Sequence, residues 1–210
     1  MTLILMRHGE TDWNLEGRFN SRTDLPLSAA GLEHVNRVAS GLANAGITRV
    51  CSSPARRAIE TARIVAAGQP RVTGIDIVAN LREMDFGDYE GCSRTQLQAQ
   101  PATRERYAAW FDAAGTGVVP PGGESWDSAA QRAAQANELL LDPAVTTLAV
   151  GHGYLLRLMM VAALAQGPPQ SIRQLRLDNA HLTGLVYAAG AWRVLFHNVE
   201  RIPDAGDSRS

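Results

Sequence analysis

The sequence predicts an α/β fold built on a largely parallel β-sheet. Short apolar runs of strand length alternate with longer segments that carry helix-capping residues at their ends. The last two runs are joined by residues 188–191 only, which suits a hairpin and makes the sheet mixed at that end. The predicted strands cover residues 3–6, 47–51, 75–78, 147–150, 182–187 and 192–196.

Four helices are predicted from the residues that begin and end them. Ser28 is a candidate N-cap for a helix that reaches about residue 45, where Gly46 follows. Ser53 and Pro54 form a cap and a first-turn proline, and they predict a helix that extends to residue 67. Two more helices are predicted, one over residues 125–141 and one from Gly153 to before residue 167.

Composition narrows the class of protein. A chain of 210 residues suits one sizeable core, and we predict a single domain over residues 1–204 with a polar tail over 205–210. A formal charge of -1 argues against nucleic acid and anionic membrane as partners. Cys51 and Cys92 match no metal-ligand spacing and are expected to be free thiols in a reducing compartment. With no signal peptide and no bilayer-length apolar run, the protein is predicted to be cytoplasmic.

Cationic and imidazole side chains follow three of the predicted strands. Arg7 and His8 end the first strand, Arg57 lies in the first turn after the second, and His152 ends the strand over residues 147–150. In an open parallel sheet the carboxyl ends of the strands share one edge, where ligands bind. Helix N-termini at that edge add free N–H groups and partial positive charge. The sequence therefore predicts an anion site there.

A phosphate ester suits this site better than a metal ion. No third His or Cys stands at ligand spacing from the two histidines, and the arginines would repel a cation, so no metal site is predicted. Guanidinium groups bind phosphate oxygens, and a neutral imidazole can attack phosphorus. A proton donor is also needed, and Glu83 follows the strand 75–78 closely enough to supply it. Position alone leaves Asp85 and Glu90 as alternatives, while His34 is interpreted as a solvated helix residue.

Five segments together resemble the histidine phosphatase superfamily, whose fold is phosphoglycerate mutase-like. Residues 7–14, RHGETDWN, resemble its RHGxTxxN signature, and residues 52–62, SSPARRAIETA, are similar to its SSPxxRAxxTA element. Residues 81–91, LREMDFGDYEG, resemble its acid-bearing segment, and Gly-His-Gly at 151–153 resembles its second histidine motif. PPGGES at 120–125 also recurs in the family.

The resemblance implies a three-layer α/β/α sandwich and a set of residue roles. His8 would be the nucleophile that becomes phosphohistidine, and Glu83 would be the proton donor. Arg7, Arg57 and His152 would hold the phosphoryl oxygens. Asn14 and Gly153 would contribute to substrate binding, and no metal or other cofactor would be required.

The resemblance favours a phosphatase that acts on a small-molecule phosphate ester over a cofactor-dependent phosphoglycerate mutase. Residues 92–121 are short for the insertion that mutases carry, and their arginines are scattered. A third possibility, a non-catalytic phosphate-binding protein, is disfavoured because all five predicted catalytic residues are present. Asn20, Ser21 and Tyr154 depart from the family pattern and are expected to border the phosphate pocket, where they would affect substrate choice. The sequence allows a homodimer, although no feature requires one.

Overall fold

A computed structural model describes residues 2–112, 117–142, 144–165 and 169–203; the predicted tail over 205–210 lies outside them. The described residues form one six-stranded sheet, with strand order β3-β2-β4-β1-β5-β6. Strands β1 to β4 pair in parallel, whereas β5 and β6 are antiparallel, so the predicted mixed sheet is confirmed. The strands are β1 (Thr2–Arg7), β2 (Arg49–Ser52), β3 (Ile75–Ile77), β4 (Thr146–Gly151), β5 (Leu182–Ala188) and β6 (Ala191–Val199).

Helices cover both faces of the sheet, which confirms the three-layer α/β/α class. Side chains alternate along β1, because successive residues of a strand point to opposite faces. Leu3 and Leu5 pack with α6 and α7, whereas Ile4 and Met6 pack with α2 and α3. The α-helices are α1 (Asp12–Leu15), α2 (Ala29–Ser40), α3 (Arg56–Ala67), α4 (Arg94–Ala99), α5 (Pro101–Asp112), α6 (Trp126–Leu140) and α7 (Gly153–Leu164).

Two predicted helix boundaries are wrong. Helix α2 is capped by Ser28 as expected, but it ends at Ser40 and continues as turns rather than as a helix to residue 45. Helix α3 begins at Arg56, and its N-cap is Ala55, which provides no side-chain hydrogen bond. The hydroxyl of Ser53 lies outside the helix and contacts the candidate site instead.

Helices α4 and α5 were not predicted from the sequence. The apolar residues of α5 do not repeat along one face, so the helical period is not visible there. Its buried side chains join an aromatic cluster beneath the candidate site, in which Trp126 Nε1 donates to the Trp110 carbonyl at 3.0 Å. The members of this aromatic cluster are Phe19, Phe86, Tyr89, Tyr107, Trp110, Phe111, Trp126 and Tyr154.

The hairpin between β5 and β6 is confirmed. Its two turn residues, Ala189 and Gly190, have φ values of 52° and 79°, as a tight hairpin turn of this kind requires. Among the described residues, no helix combines the length and the apolar character that crossing a bilayer requires.

The parallel part of the sheet positions the candidate site. Arg7 pairs with Gly151 and Ser52 with Val150, so the chain leaves β1, β2 and β4 at one edge. The start of α2 packs directly on the segment after β1: a Cβ added at Gly31 would lie 2.2 Å from the Glu10 carbonyl oxygen. Only glycine permits this close approach.

Candidate active site

His8 directly follows β1 and is buried. Its Nδ1 lies 2.6 Å from the Gly9 carbonyl oxygen. Because a carbonyl oxygen only accepts hydrogen bonds, this contact places the proton on Nδ1. The Nε2 atom of the neutral ring then carries the lone pair, which is the form of imidazole that can act as a nucleophile.

His152 directly follows β4 and faces His8, with ring centroids 5.0 Å apart and ring planes at 61°. Its Nδ1 lies 3.2 Å from Arg57 Nη2, and its Nε2 lies 2.8 Å from Ser53 Oγ. Since a guanidinium only donates, Nδ1 is the acceptor and Nε2 donates to the serine. Both rings therefore have a defined tautomer, and we call His8 and His152 the catalytic pair after the role proposed for them below.

Arg7 and Arg57 are the cations of the site. Arg57 is fully buried and donates to the Thr23 carbonyl at 3.1 Å and to the Asn20 carbonyl at 3.3 Å. Arg7 donates from Nη1 to the Leu177 carbonyl at 2.9 Å. In the part of the chain that the structure describes, neither arginine forms an ion pair, and the Nε of each is buried without a hydrogen-bond partner. Two guanidiniums with buried, unpartnered donors favour an anion as the missing partner.

Burial and the two cations set the protonation of the site. Burial, followed by the positive charges of Arg57 and Arg7, holds the pKa of His8 well below its ordinary value of 6.5. The same causes, together with His8 itself, lower the pKa of His152. Burial lowers the pKa of Arg7 to about 10, so this guanidinium stays charged at neutral pH. The site therefore combines neutral imidazoles with charged guanidiniums.

The Glu83 carboxyl group lies against the N-terminus of α7, the helix that begins directly after His152. Its Oε2 accepts from Tyr154 N at 3.1 Å, and its Oε1 accepts from Leu155 N at 3.0 Å. The free N–H groups at the start of the helix hold the Glu83 carboxyl group in this position. The carboxyl group also lines the cleft that contains His152, which is where a proton donor to a leaving group would have to stand.

The two alternative carboxylates have structural partners. Asp85 accepts from Arg22 Nε at 2.8 Å in an ion pair. Glu90 accepts from Ser21 Oγ at 2.6 Å and from Thr23 N at 3.0 Å. Burial alone would raise the pKa of Glu90, but these hydrogen bonds outweigh burial and lower it. Glu90 thus holds the loop whose carbonyl groups bind Arg57.

Three of the predicted substrate-binding residues adjoin the catalytic cluster. Asn20 is buried, and its amide Nδ2 and Oδ1 both lack a hydrogen-bond partner among the described residues. Asn14 Oδ1 accepts from Thr11 N and from Asn179 Nδ2, each at 3.1 Å, so this oxygen helps to fold the loop after His8. Gly153 lies against Arg7, because a Cβ there would be 3.4 Å from the guanidinium Nε.

The side chains of Ser21 and Tyr154, the two other predicted substrate-binding residues, have partners within the protein. The Ser21 hydroxyl lines the cleft but is already bonded to Glu90 at 2.6 Å. The Tyr154 ring belongs to the aromatic cluster, 5.1 Å from the Phe86 ring, and Arg157 lies over its face at 4.9 Å. A large ring at the start of α7 is more stable among other aromatic rings than in a polar cleft. Tyr154 contributes its backbone N–H to the site, through Glu83.

Three residues that were not predicted as site residues support the catalytic pair. Ser53 bonds to His152, Thr61 Oγ1 accepts from Gly9 N at 3.0 Å, and Asn179 Nδ2 donates to the His8 carbonyl at 3.0 Å. Ser53 and Thr61 both stand in the segment over residues 52–62 that carries the family resemblance, and this is a sequence signal for them. The contact of Asn179 depends on segments that are distant in sequence.

A polar cleft of about 770 Å³ opens beside the catalytic pair. Ser53, Glu83 and His152 line its catalytic side. The Arg132–Glu124 and Arg22–Asp85 ion pairs line the rest, with hydroxyl groups between them. This volume is large enough for the polar leaving group of a small metabolite.

Comparisons with known proteins agree with this geometry. The family model described as "Histidine phosphatase superfamily (branch 1)" matches residues 3–200. The chain is 30% identical to a probable phosphoglycerate mutase GpmB from Proteus mirabilis, over 91% of this chain and 87% of the relative. An alpha-ribazole phosphatase from Shigella flexneri superposes with a TM-score of 0.85 at 27% identity, covering 97% and 99% of the two chains.

A second solved structure is a phosphoserine phosphatase from Entamoeba histolytica in complex with phosphoserine. It has a TM-score of 0.82 and 25% identity, and the alignment covers 95% of this chain and 97% of that one. The chain belongs to the histidine phosphatase superfamily, branch 1, and is a phosphatase enzyme.

Proposed function

We propose that the protein is a metal-independent phosphomonoesterase that hydrolyses a small phosphorylated metabolite through a phosphohistidine on His8. The observation that carries this proposal is the neutral His8 ring, with its free Nε2, beside two guanidiniums whose buried Nε atoms have no partner among the described residues. Nε2 would attack phosphorus as the bond to the leaving oxygen breaks, and Glu83 would protonate that oxygen. Water, activated by the same carboxylate, would then cleave the P–N bond and release phosphate.

Arg7, Arg57 and His152 would stabilise the transferring phosphoryl group. Preorganised cationic donors around its oxygens supply the electrostatic stabilisation that a metal ion supplies in other phosphoryl-transfer enzymes. The guanidiniums are already desolvated and anchored by backbone carbonyls, so little reorganisation is needed when the substrate binds. The same positive charges disfavour a metal ion between the two catalytic imidazoles.

A phosphatase is supported over a mutase by the position of the arginines in α4 and α5. Arg94 lies 4.5 Å over the Phe111 ring, and Arg104 donates to the Gln98 carbonyl at 2.8 Å. Neither of these, nor Arg106, lines the cleft beside His152. Of the arginines that do line the cleft, Arg22 and Arg132 are ion-paired with Asp85 and Glu124, which leaves Arg82. A mutase would need a set of such groups to hold a substrate carboxylate while the phosphoryl group moves. The curated relative named as a probable phosphoglycerate mutase makes that activity the alternative to test.

The test is phosphate release from a panel of phosphomonoesters in excess chelator, with wild type and His8→Ala compared. We expect the wild type to remain active and the variant to lose about 10⁴-fold or more in kcat, as when a catalytic nucleophile is removed. A short incubation with an ester whose phosphoryl group is labelled should leave an acid-labile label, the phosphohistidine, on the wild type only. His197→Gln is the matched control, because His197 lies on β6 outside the site.

Retained activity in His8→Ala, or activity that the chelator abolishes, would contradict the mechanism. Efficient interconversion of 2- and 3-phosphoglycerate in a coupled assay would establish the mutase instead. Cys51 and Cys92 are both free thiols, which supports the proposed cytoplasmic location.

A further inference from the structure

A second pair of histidines lies outside the cleft and faces a carboxylate. His34 comes from α2, His181 directly precedes β5, and Glu200 directly follows β6. Glu200 Oε1 lies 3.2 Å from His34 Nε2 and 3.9 Å from His181 Nε2. One ligand atom from each of the three residues lies within 4.8 Å of the other two. We call these three residues the His–His–Glu cluster.

The imidazole nitrogens of the cluster are oriented as metal ligands are. His181 Nδ1 lies 3.0 Å from the Asn179 carbonyl oxygen, so Nδ1 carries the proton and Nε2 carries the lone pair. Ligating histidines are usually fixed in this way, by a hydrogen bond from the other ring nitrogen to a carbonyl or carboxylate. His34 Nε2 is shielded from solvent and has no hydrogen-bond partner among the described residues, since its contact with Glu200 lacks hydrogen-bond geometry.

The two carboxylate oxygens of Glu200 have different neighbours. Oε1 faces both imidazoles, whereas Oε2 lies 4.0 Å from Arg37 Nε. The Arg37 side chain is 60% exposed, so its charge is largely screened by water. A cation on the Oε1 side would therefore leave Oε2 to interact with the guanidinium, which is a common arrangement for a ligating carboxylate.

We propose that the His–His–Glu cluster binds a zinc-like transition-metal ion, in a site separate from the phosphatase chemistry. Two imidazole nitrogens and one carboxylate oxygen form a ligand set that Zn²⁺ prefers, with a fourth position open to water. Ideal zinc–ligand distances of about 2.0–2.2 Å place neighbouring ligand atoms roughly 3.3 Å apart. The His34–Glu200 spacing already matches this value. The other spacings, all within 4.8 Å, would shorten by small rotations of the His181 and Glu200 side chains.

A metal ion in this site would join three segments that are distant in sequence. The cluster connects α2, the turn before β5 and the end of β6. The turn also contains Asn179, which donates to the His8 carbonyl. Since metal binding to a folded site stabilises the fold by mass action, the expected effect is on thermal stability. None of the three ligands lines the cleft, so the proposal does not depend on the phosphatase mechanism.

The test is calorimetric titration of ZnCl₂ into the metal-stripped full chain. The titrated protein, called the parent below, carries His8→Ala, because this substitution removes one ring of the catalytic pair as a competing metal site. We expect one equivalent to bind, and Tm to rise by roughly 5–10 °C at a hundredfold excess over Kd. Glu200→Gln should weaken binding at least tenfold, and His197→Gln, which removes an imidazole elsewhere, should bind as tightly as the parent.

Glu200 is half-exposed, so its substitution is compatible with folding, and circular dichroism verifies this for each variant. Co²⁺ gives an independent readout: its tetrahedral d–d absorption should appear in the parent and vanish in His181→Gln. Stoichiometric binding that Glu200→Gln and His181→Gln leave unchanged would overturn the proposal. The absence of binding at micromolar Zn²⁺ would overturn it equally.

Discussion

The molecule holds two histidine pairs that resemble each other in geometry and differ in environment. The His8 and His152 rings are 5.0 Å apart at 61°, and the His34 and His181 rings are 5.9 Å apart at 85°. Both are edge-to-face pairs, although His34 lies within helix α2 rather than at a strand end. Ring geometry alone therefore does not distinguish the chemistry of the two sites.

The neighbouring charges distinguish them. The first pair is buried beside Arg7 and Arg57, which keep its rings neutral and attract an anion. The second pair is half-buried beside Glu200, which attracts a cation. An imidazole is suited to nucleophilic attack or to metal binding by the charge that surrounds it.

After loss of the His8 nucleophile itself, the largest expected effect comes from Glu83, the carboxylate near the first pair. Glu83→Gln removes the proposed proton donor but keeps a group that can accept from the start of α7. We expect kcat for alkyl phosphates to fall by about 10²–10⁴-fold, the usual contribution of general acid catalysis. The loss should be smaller for 4-nitrophenyl phosphate, because its leaving group needs little protonation.

Asp88→Asn is the matched control for this carboxylate, since Asp88 is an exposed acid in the same segment. It should change kcat less than twofold. An equal loss for good and poor leaving groups in Glu83→Gln would contradict its role as the acid.

The next largest effect is expected from Arg57, one of the two cations beside the first pair. Arg57→Met removes a phosphate-binding guanidinium, and kcat/KM should fall by about 10²–10³-fold. Arg57 also lowers the pKa of both His8 and His152, so its removal should move the acid limb of kcat/KM to higher pH, toward 6.5. The exposed neighbour Arg56 is paired with Glu60, and Arg56→Met should change neither the rate nor the limb. A rate loss with an unmoved acid limb would show that Arg57 does not set the imidazole charge.

The first pair could be predicted from the sequence, and the second could not. Arg7 and His8 follow an apolar run at a strand end, and His152 and Arg57 follow two others, so the parallel topology brings them together. His34, His181 and Glu200 come from a helix, a turn and a strand end without a short spacing between them. His34 was interpreted as solvated, but its Nε2 is shielded from water.

The fold was predictable where the pattern was local. Apolar runs and capping residues predicted all six strands and the α6 and α7 helices within a few residues, because both signals act over short stretches of sequence. Helix α5 was missed because its aromatic residues pack in several directions rather than on one face. The place of the Tyr154 ring could not be predicted either, since the cluster that binds it assembles from four separate segments.

The smallest expected effect is on stability, and it tests whether the first pair is neutral in the folded state. The pKa of His8 and of His152 lies well below 6.5 in the fold and near 6.5 in the unfolded chain. Between those values the unfolded chain binds more protons, so the free energy of unfolding should fall as the pH drops below 6.5. Each imidazole adds a slope of up to about 1.4 kcal/mol per pH unit. Above pH 6.5 these groups add no pH dependence.

Urea unfolding between about pH 7.5 and pH 5 measures this slope. Burial also lowers the pKa of His197, so this residue adds to the fall in the free energy of unfolding on acidification. The lowered pKa of Glu90 matters only below its ordinary value of 4.5, so this window reports on imidazoles. His152→Gln should remove one contribution and make the slope shallower, while a substitution of the exposed Arg56 should leave it unchanged. A free energy of unfolding that stays level or rises on acidification would mean that the catalytic pair takes up protons in the fold, and the neutral nucleophile proposed for His8 would then be wrong.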